Sequence, residues 1–154
     1  MKKCRILALI VALVFAFSAT AQAASFVLVT TTRTALASDS AGGGGMNELV
    51  NNGKLKIYSG TYDTGSLLVS LTLPAKASNT AANGVLTFGT IAQANATGTG
   101  AAAYFKIFKS DDATEVAHGD VSTSGATLNL NTTAIVTDGP VSITSFTITV
   151  PAGS

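Results

Sequence analysis

Apolar and polar residues alternate most clearly in two stretches of this 154-residue chain. In Lys54–Tyr58, Leu55 and Ile57 share one face and lysine or tyrosine occupies the other, which indicates a strand with one solvated face. In Val141–Val150, apolar residues fall on both faces, as in a central strand. Both stretches predict β-strands.

Further short apolar segments predict more strands. These segments are Ser66–Leu73, Gly84–Gln93, Ala101–Lys109, Thr114–Val121 and Thr127–Leu130. The third and fourth are predicted to form a hairpin, and Met46–Asn51 one or two helical turns, whereas Lys76–Asn83 and Asn131–Gly139 are predicted loops. Turn signals every eight to twelve residues and little helix predict an all-β fold, an antiparallel β-sandwich or jelly-roll-like barrel with an extended N-terminal arm.

Residues 1–23 have the three parts of a secretory signal peptide. A basic start is followed by a 12-residue apolar run, Ile6–Phe17, and by the small-residue end Ala21-Gln22-Ala23. As a helix, this run is about 18 Å long, which is short for spanning a hydrocarbon layer of about 30 Å. A retained membrane anchor is therefore the less favoured alternative. We therefore predict cleavage after Ala23 and no membrane association of the remaining chain, which contains no cysteine.

Residues 24–45 are predicted to form an N-terminal arm and a hinge, ahead of a single β-domain over residues 46–154. The arm is rich in β-branched residues, which favour an extended conformation. Its candidate assembly residues are Phe26, Val27, Leu28, Val29 and Arg33. The candidate hinge residues are Gly42, Gly43, Gly44 and Gly45, because consecutive glycines disfavour regular structure. A phosphate-binding loop is the alternative, but no Lys-Ser/Thr pair follows these glycines.

Charge is scarce in this chain. Charged residues make up 11% of it, against about 25% in an average soluble domain. Without residues 1–23, six basic and eight acidic residues remain, a formal charge of −2. This balance argues against a nucleic-acid partner, and a single histidine and a single cysteine argue against a metal site. Small neutral side chains suit a protein that is displayed in many copies packed side by side.

His118 is the only histidine and therefore the first candidate for general base catalysis. Such a role requires an acid that holds the ring, either Asp120 or Glu115, and a nucleophile on a strand-to-helix turn, which the sequence lacks. A surface histidine at a strand end is the preferred interpretation.

Two other groups of residues are weaker candidates for a site. Asp111, Asp112 and Glu115 cluster as calcium ligands do, but the spacing of an EF-hand loop is absent and turn formation is preferred. The candidates for a sugar-binding face are Tyr58, Tyr62 and Tyr104. Since the chain has no tryptophan, cross-strand packing is the preferred role of these rings. We predict a non-enzymatic protein with no catalytic, cofactor-binding or metal-binding residues.

Two stretches resemble a family of small virion structural proteins of tailed bacteriophages. They are Asn51–Pro74, in which Gly53–Gly60 reads GKLKIYSG, and Ala101–Gly153, in which Gly119–Thr149 begins GDVSTSGATLNLNTTAIV. The resemblance covers about residues 34–153. It implies a virion protein, a capsid decoration or cement subunit whose partners are copies of itself and a major capsid protein.

The signal-like segment supports an alternative. An exported bacterial cell-surface or extracellular matrix or filament subunit would carry such a segment and would assemble by adding its arm to a neighbouring sheet. The predicted localisation is therefore the virion, or alternatively the cell surface or the extracellular space.

Overall fold

A computed structural model describes residues 25–37, 45–75, 78–83 and 85–149, and strands make up about half of them. The two short helices are α1 (Thr30–Ala37) and α2 (Gly45–Leu49). The strands are β1 (Phe26–Leu28), β2 (Lys54–Ser59), β3 (Leu67–Thr72), β4 (Ser78–Ala82), β5 (Val85–Phe88), β6 (Ala94–Asn95), β7 (Gly100–Phe108), β8 (Glu115–Ser122), β9 (Leu128–Leu130), β10 (Ala134–Ile135), β11 (Pro140–Val141) and β12 (Ile143–Thr149). The all-β prediction is confirmed, as are the β7–β8 hairpin and the helical turn after residue 45. Neither described helix is long and apolar enough to cross a membrane.

The main sheet follows the order β3-β2-β7-β8-β9-β12-β5-β4, with β1 added to β8 and β10 added to β7. The expectation of a purely antiparallel sheet is wrong at one place, because β8 and β9 run parallel over two residue pairs. The turn between them includes Gly125 at φ +75, a left-handed conformation that glycine adopts without strain. The carboxylate of Asp120 also accepts the N–H of Thr127, which fixes the chain as it enters β9.

One hydrophobic core joins the β7 and β12 regions of the sheet. Phe105 of β7 meets Phe146 of β12 edge to face, with 5.3 Å between ring centroids, and Phe146 stacks on Phe88 of β5 at 4.0 Å. The sheet therefore curls so that its β7 and β12 regions share the same apolar interior. Burial of these large rings is the main stabilising term of such a core.

Two predicted loops contain strands. Lys76–Asn83 includes β4, which pairs with β5, and Asn131–Gly139 includes β10, which pairs with β7. β4 (SNTAA) consists of small or polar residues, most of them with weak strand propensity, and β10 is only two residues long. Pairing with a neighbouring strand overrides that propensity, because β-structure depends strongly on context.

The predicted arm is extended only at its start. After β1 the chain turns into α1, where the N–H of Arg33 donates to the carbonyl of Val29. The alanine, leucine and arginine residues of this segment are good helix formers, and they outweigh its β-branched threonines. Of the predicted hinge, Gly45 begins α2, whereas Gly42–Gly44 and the predicted signal peptide, 1–23, lie outside the described residues.

Candidate functional site

The outward-facing positions of β2, β7 and β8 bring together rings and charges. The strand register places Tyr58 opposite Tyr104 and Lys106 opposite His118. The loop between β2 and β3 adds Tyr62 to the same surface. We call this surface the tyrosine face, and it consists of Tyr58, Tyr62, Tyr104, Lys106, Glu115 and His118.

A β-bulge puts Glu115 and His118 on the same side of the sheet. In a regular strand, residues three apart point to opposite faces. The register between β7 and β8 shifts near Val116, so that Val116 and Ala117 are both fully buried. Glu115 and His118 therefore both point outward, and the Nδ1 atom of His118 lies 2.9 Å from Oε1 of Glu115.

The aromatic rings of the tyrosine face contact one another. Tyr58 and Tyr104 stack with 5.1 Å between centroids and 7° between planes, and Tyr62 tilts against Tyr104 at 5.8 Å. Tyr62 also lies 4.2 Å from the ring of His118. Because Tyr104 is only 8% exposed, its ring is not available as a platform for a sugar. Tyr58 and Tyr104 show the predicted cross-strand packing. Tyr62 packs against Tyr104 from the loop between β2 and β3.

Glu115 is the centre of the polar contacts. Its Oε1 atom accepts the hydroxyl of Tyr62 at 2.9 Å in addition to the contact with His118. The ammonium of Lys106 lies 3.4 Å from Oε2 of Glu115 and 3.5 Å from Oδ1 of Asp63. The same ammonium sits 4.2 Å from the centroid of the Tyr62 ring, within the range of a cation–π contact. The charges of the face thus offset one another locally.

These contacts shift two protonation equilibria. Burial raises the pKa of the Tyr62 phenol, and the hydrogen bond to Glu115 and the negative charge of that carboxylate raise it further. Burial alone would lower the pKa of Lys106, but Glu115, Tyr62 and Asp63 together more than offset this effect and the pKa is raised. At neutral pH, Tyr62 is therefore neutral and Lys106 is charged.

The arrangement around His118 contains part of what a general base needs. Glu115 holds the ring, as a catalytic carboxylate would, whereas Asp120 points to other partners. Within the described part of the chain, no serine or threonine hydroxyl hydrogen-bonds to His118. The hydroxyl that these contacts bring to the pair is the phenol of Tyr62, which donates to Oε1 of Glu115 at 2.9 Å.

The carboxylates near the β7–β8 turn have separate partners. Asp111 accepts the N–H and the hydroxyl of Thr114, and these bonds lower its pKa to about 2. Asp112 pairs with Lys56 at 2.8 Å, and Glu115 belongs to the tyrosine face. Among the residues that the structure describes, no group of three or more His, Cys, Asp or Glu is placed to hold a metal ion.

Three of the candidate assembly residues of the arm, Phe26, Val27 and Leu28, form β1 and lie along β8, whereas Arg33 lies in α1. Phe26 and Leu28 pack against the core, and Val27 is 45% exposed opposite His118. The sequence analysis did not foresee the residue that anchors this strand, Asp120, whose partner Ser25 lies 95 positions away. No local pattern identifies a contact over that separation.

Comparisons of the chain with protein-family profiles, with curated proteins and with solved structures found no match. The functional interpretation therefore rests on the sequence and on the geometry described above.

Proposed function

We propose that the protein is a non-enzymatic structural subunit of a phage virion, a decoration or cement protein that binds the lattice of a major capsid protein. The virion assignment is supported by the resemblance of Asn51–Pro74 and Ala101–Gly153 to small tailed-phage structural proteins. The observation that carries the structural role is the tyrosine face, where rings and charges are paired with one another.

Charges that are paired within the subunit's own surface favour packing of that surface against other proteins. Lys106 is offset by Glu115, Lys56 by Asp112, and the ammonium of Lys54 donates to the hydroxyl of Thr72 at 2.7 Å. A surface whose charges are already paired has less long-range repulsion between copies. Its tyrosines also supply rigid contact area, which is enriched at protein interfaces.

The curled sheet is part of the same proposal. In a jelly-roll-like sandwich, the β2–β7–β8 region would form one layer and β12–β5–β4 the other, meeting at Phe105 and Phe146. The tyrosine face would then be the broad outer surface of the first layer, accessible to the capsid lattice.

Quantitative mass spectrometry of gradient-purified particles tests the proposal. We expect peptides of this chain at a fixed ratio to the major capsid protein in successive fractions across the particle peak. Absence of the chain from the particle peak, with abundant free chain elsewhere in the gradient, would refute the virion assignment.

A charge substitution tests the role of the face. Lys106→Glu replaces the ammonium that pairs with Glu115 and Asp63 by a third carboxylate at this point of the surface, and we expect at least a tenfold loss of incorporation into particles. Val136→Glu is the matched control, because Val136 is 63% exposed outside this face. Equal incorporation of the two variants would rule the face out as the binding surface.

An exported surface or matrix subunit is the second candidate. It is favoured by residues 1–23, whose basic, apolar and small-residue regions have the order of a signal peptide. N-terminal sequencing of the protein from the cell surface and culture fluid tests it: a chain that begins at Ala24 supports export, and an uncleaved chain confined to the cytoplasm contradicts it.

A further inference from the structure

Strand β1 lies along one edge of β8 in an antiparallel register. Phe26, Val27 and Leu28 are paired with Gly119, His118 and Ala117. At the start of this pairing the N–H of Asp120 donates to the carbonyl of Ser25 at 3.0 Å. At its end the N–H of Val29 donates to the carbonyl of Val116 at 3.2 Å. β8 thus binds an extended segment through backbone groups.

The carboxylate of Asp120 fixes the start of that segment. Its Oδ1 atom accepts the N–H of Ser25 at 3.0 Å and the N–H of Thr127 at 3.1 Å. The hydroxyl of Thr127, which is 4% exposed, donates in turn to the carbonyl of Ser25 at 3.4 Å. Both polar groups of the Ser25 peptide are therefore bound by residues of the domain.

Gly119 gives β8 the space to accept a second backbone. A Cβ atom at this position would lie 2.6 Å from the carbonyl oxygen of Ser25 and 2.8 Å from the ring of Phe105. Such distances are too short for carbon, so any larger residue would push away either the bound strand or the core ring. The edge of β8 is therefore a slot shaped for an incoming strand, formed by Gly119, Asp120 and Thr127.

The bound strand is three residues long. It contributes Phe26 and Leu28 to the core and leaves Val27 exposed. The helix that follows it borders a small pocket, which is lined by Thr31, Thr32, Leu49, Lys109 and Thr114. The sequence predicts a hinge at Gly42–Gly45, between this helix and the body of the domain.

We propose that the slot on β8 accepts β1 from a second copy of this chain, so that neighbouring subunits exchange their N-terminal strands. This inference rests on the proposed function, since it supplies the contact by which subunits of a surface lattice or filament are joined. The slot offers the same backbone bonds, the same Asp120 anchor and the same apolar sites to β1 of either chain. Exchange of an identical element therefore replaces each contact with an equivalent one and costs little free energy.

The partner is recognised by its chemistry. It is an extended segment whose first residue presents an N–H to Asp120 and whose next three residues alternate core-facing, exposed and core-facing. The helix α1, which follows β1, would remain attached to the donor subunit. The exchanged strand would thereby join the two subunits.

Cysteine cross-linking between differently tagged chains tests the exchange. Val27 and His118 are directly opposite in the register, and facing positions of this kind lie within the reach of a disulfide. In full-length chains carrying Cys4→Ser, one chain receives Val27→Cys and the other receives His118→Cys, and the two are co-expressed and oxidised. We expect a disulfide-linked heterodimer at a yield at least tenfold above that of a control pair, Val27→Cys with Val136→Cys.

A single chain with both Val27→Cys and His118→Cys checks the register itself. If this chain closes its disulfide as a monomer while the mixed chains give no more heterodimer than the control pair, the exchange is refuted. If this chain forms neither an intramolecular nor an intermolecular disulfide, the docking of β1 on β8 is refuted as well. Cross-linking is measured on purified protein and does not depend on virions. If the heterodimer forms but the chain is absent from virions, only the virion assignment is refuted.

Discussion

The two faces of the β2–β7–β8 sheet have opposite chemistry although they alternate along the same strands. The inner face is fully buried and apolar, and its residues are Leu55, Ile57, Phe105, Ile107, Val116 and Ala117. The outer face carries the tyrosine face, whose side chains stay partly accessible to solvent except for Tyr104. The comparison shows that the side chains buried in the core and those that stay partly accessible to solvent lie on separate sides of one set of strands.

The difference in energy between the faces is large. Removing a buried aromatic ring costs about 3–5 kcal/mol, whereas a solvent-accessible ion pair contributes about 1 kcal/mol or less. Substitutions on the outer face can therefore report on assembly without unfolding the protein.

The inner face should show the largest effect. We expect Phe105→Ala to lower the free energy of unfolding by about 3–5 kcal/mol, because Phe105 is fully buried and contacts Phe146 across the curled sheet. Denaturant titration measures the change. Val136→Ala, at a 63% exposed position, is the control and should change the free energy by about 0.5 kcal/mol or less. A similar small change for Phe105→Ala would contradict the assignment of the core.

The slot for β1 should show an intermediate effect. Asp120→Ala removes the acceptor of two backbone N–H groups, those of Ser25 and Thr127. Hydrogen bonds to charged groups contribute about 1.5–3 kcal/mol, and we expect a loss of that size with faster amide hydrogen exchange in β1. Asp120→Asn keeps an oxygen acceptor and should lose less. Unchanged exchange in β1 of the alanine variant would show that Asp120 does not anchor the strand.

The outer face should show a small effect. Glu115→Gln removes the negative charge that faces Lys106 and keeps an oxygen acceptor for the Tyr62 hydroxyl, and we expect a loss of about 1 kcal/mol or less. The same substitution should lower the raised pKa of Tyr62, because the carboxylate charge contributes to it. Tyrosine absorbance during an alkaline titration measures this shift. A loss as large as that of Phe105→Ala would abolish the distinction between the two faces.

The turn at the tip of the β7–β8 hairpin provides a pH-dependent test. The pKa of Asp111 is lowered from 3.8 to about 2 by hydrogen bonds from Thr114 and Ala113. A carboxylate with a lowered pKa stabilises the fold above its ordinary pKa, and this contribution is lost as the pH falls through the folded value. We expect Asp111→Ala to be less stable than the parent at pH 7 and the difference to disappear between about pH 4 and pH 2. A difference that is constant over this range would exclude titration of Asp111 as its cause.

The sequence predicts the parts of the fold that follow a local period. Leu55 and Ile57 alternate with lysines, and these residues indeed point to opposite faces of β2. The β7–β8 hairpin follows from two apolar segments around an Asp-rich turn. In both cases the residues that determine the element lie within the element.

The remaining features depend on contacts between distant residues. The parallel pairing of β8 with β9 and the anchoring of Ser25 by Asp120 have no local signal. The bulge that brings Glu115 and His118 to one side breaks the alternation on which the prediction relies. The sequence groups the three tyrosines as candidates for one face and, separately, His118 with Glu115 or Asp120. It does not predict that the two groups share one surface.

Reconstitution on particles tests the proposed lattice binding most directly. Particles made without this chain are incubated with increasing amounts of the purified protein, sedimented and analysed for bound copies. A structural subunit that binds the capsid lattice should saturate at a fixed number of copies per major capsid protein, and Lys106→Glu should fail to reach that number. Absence of binding, or binding that rises without saturation and is equal for Lys106→Glu, would contradict a decoration role.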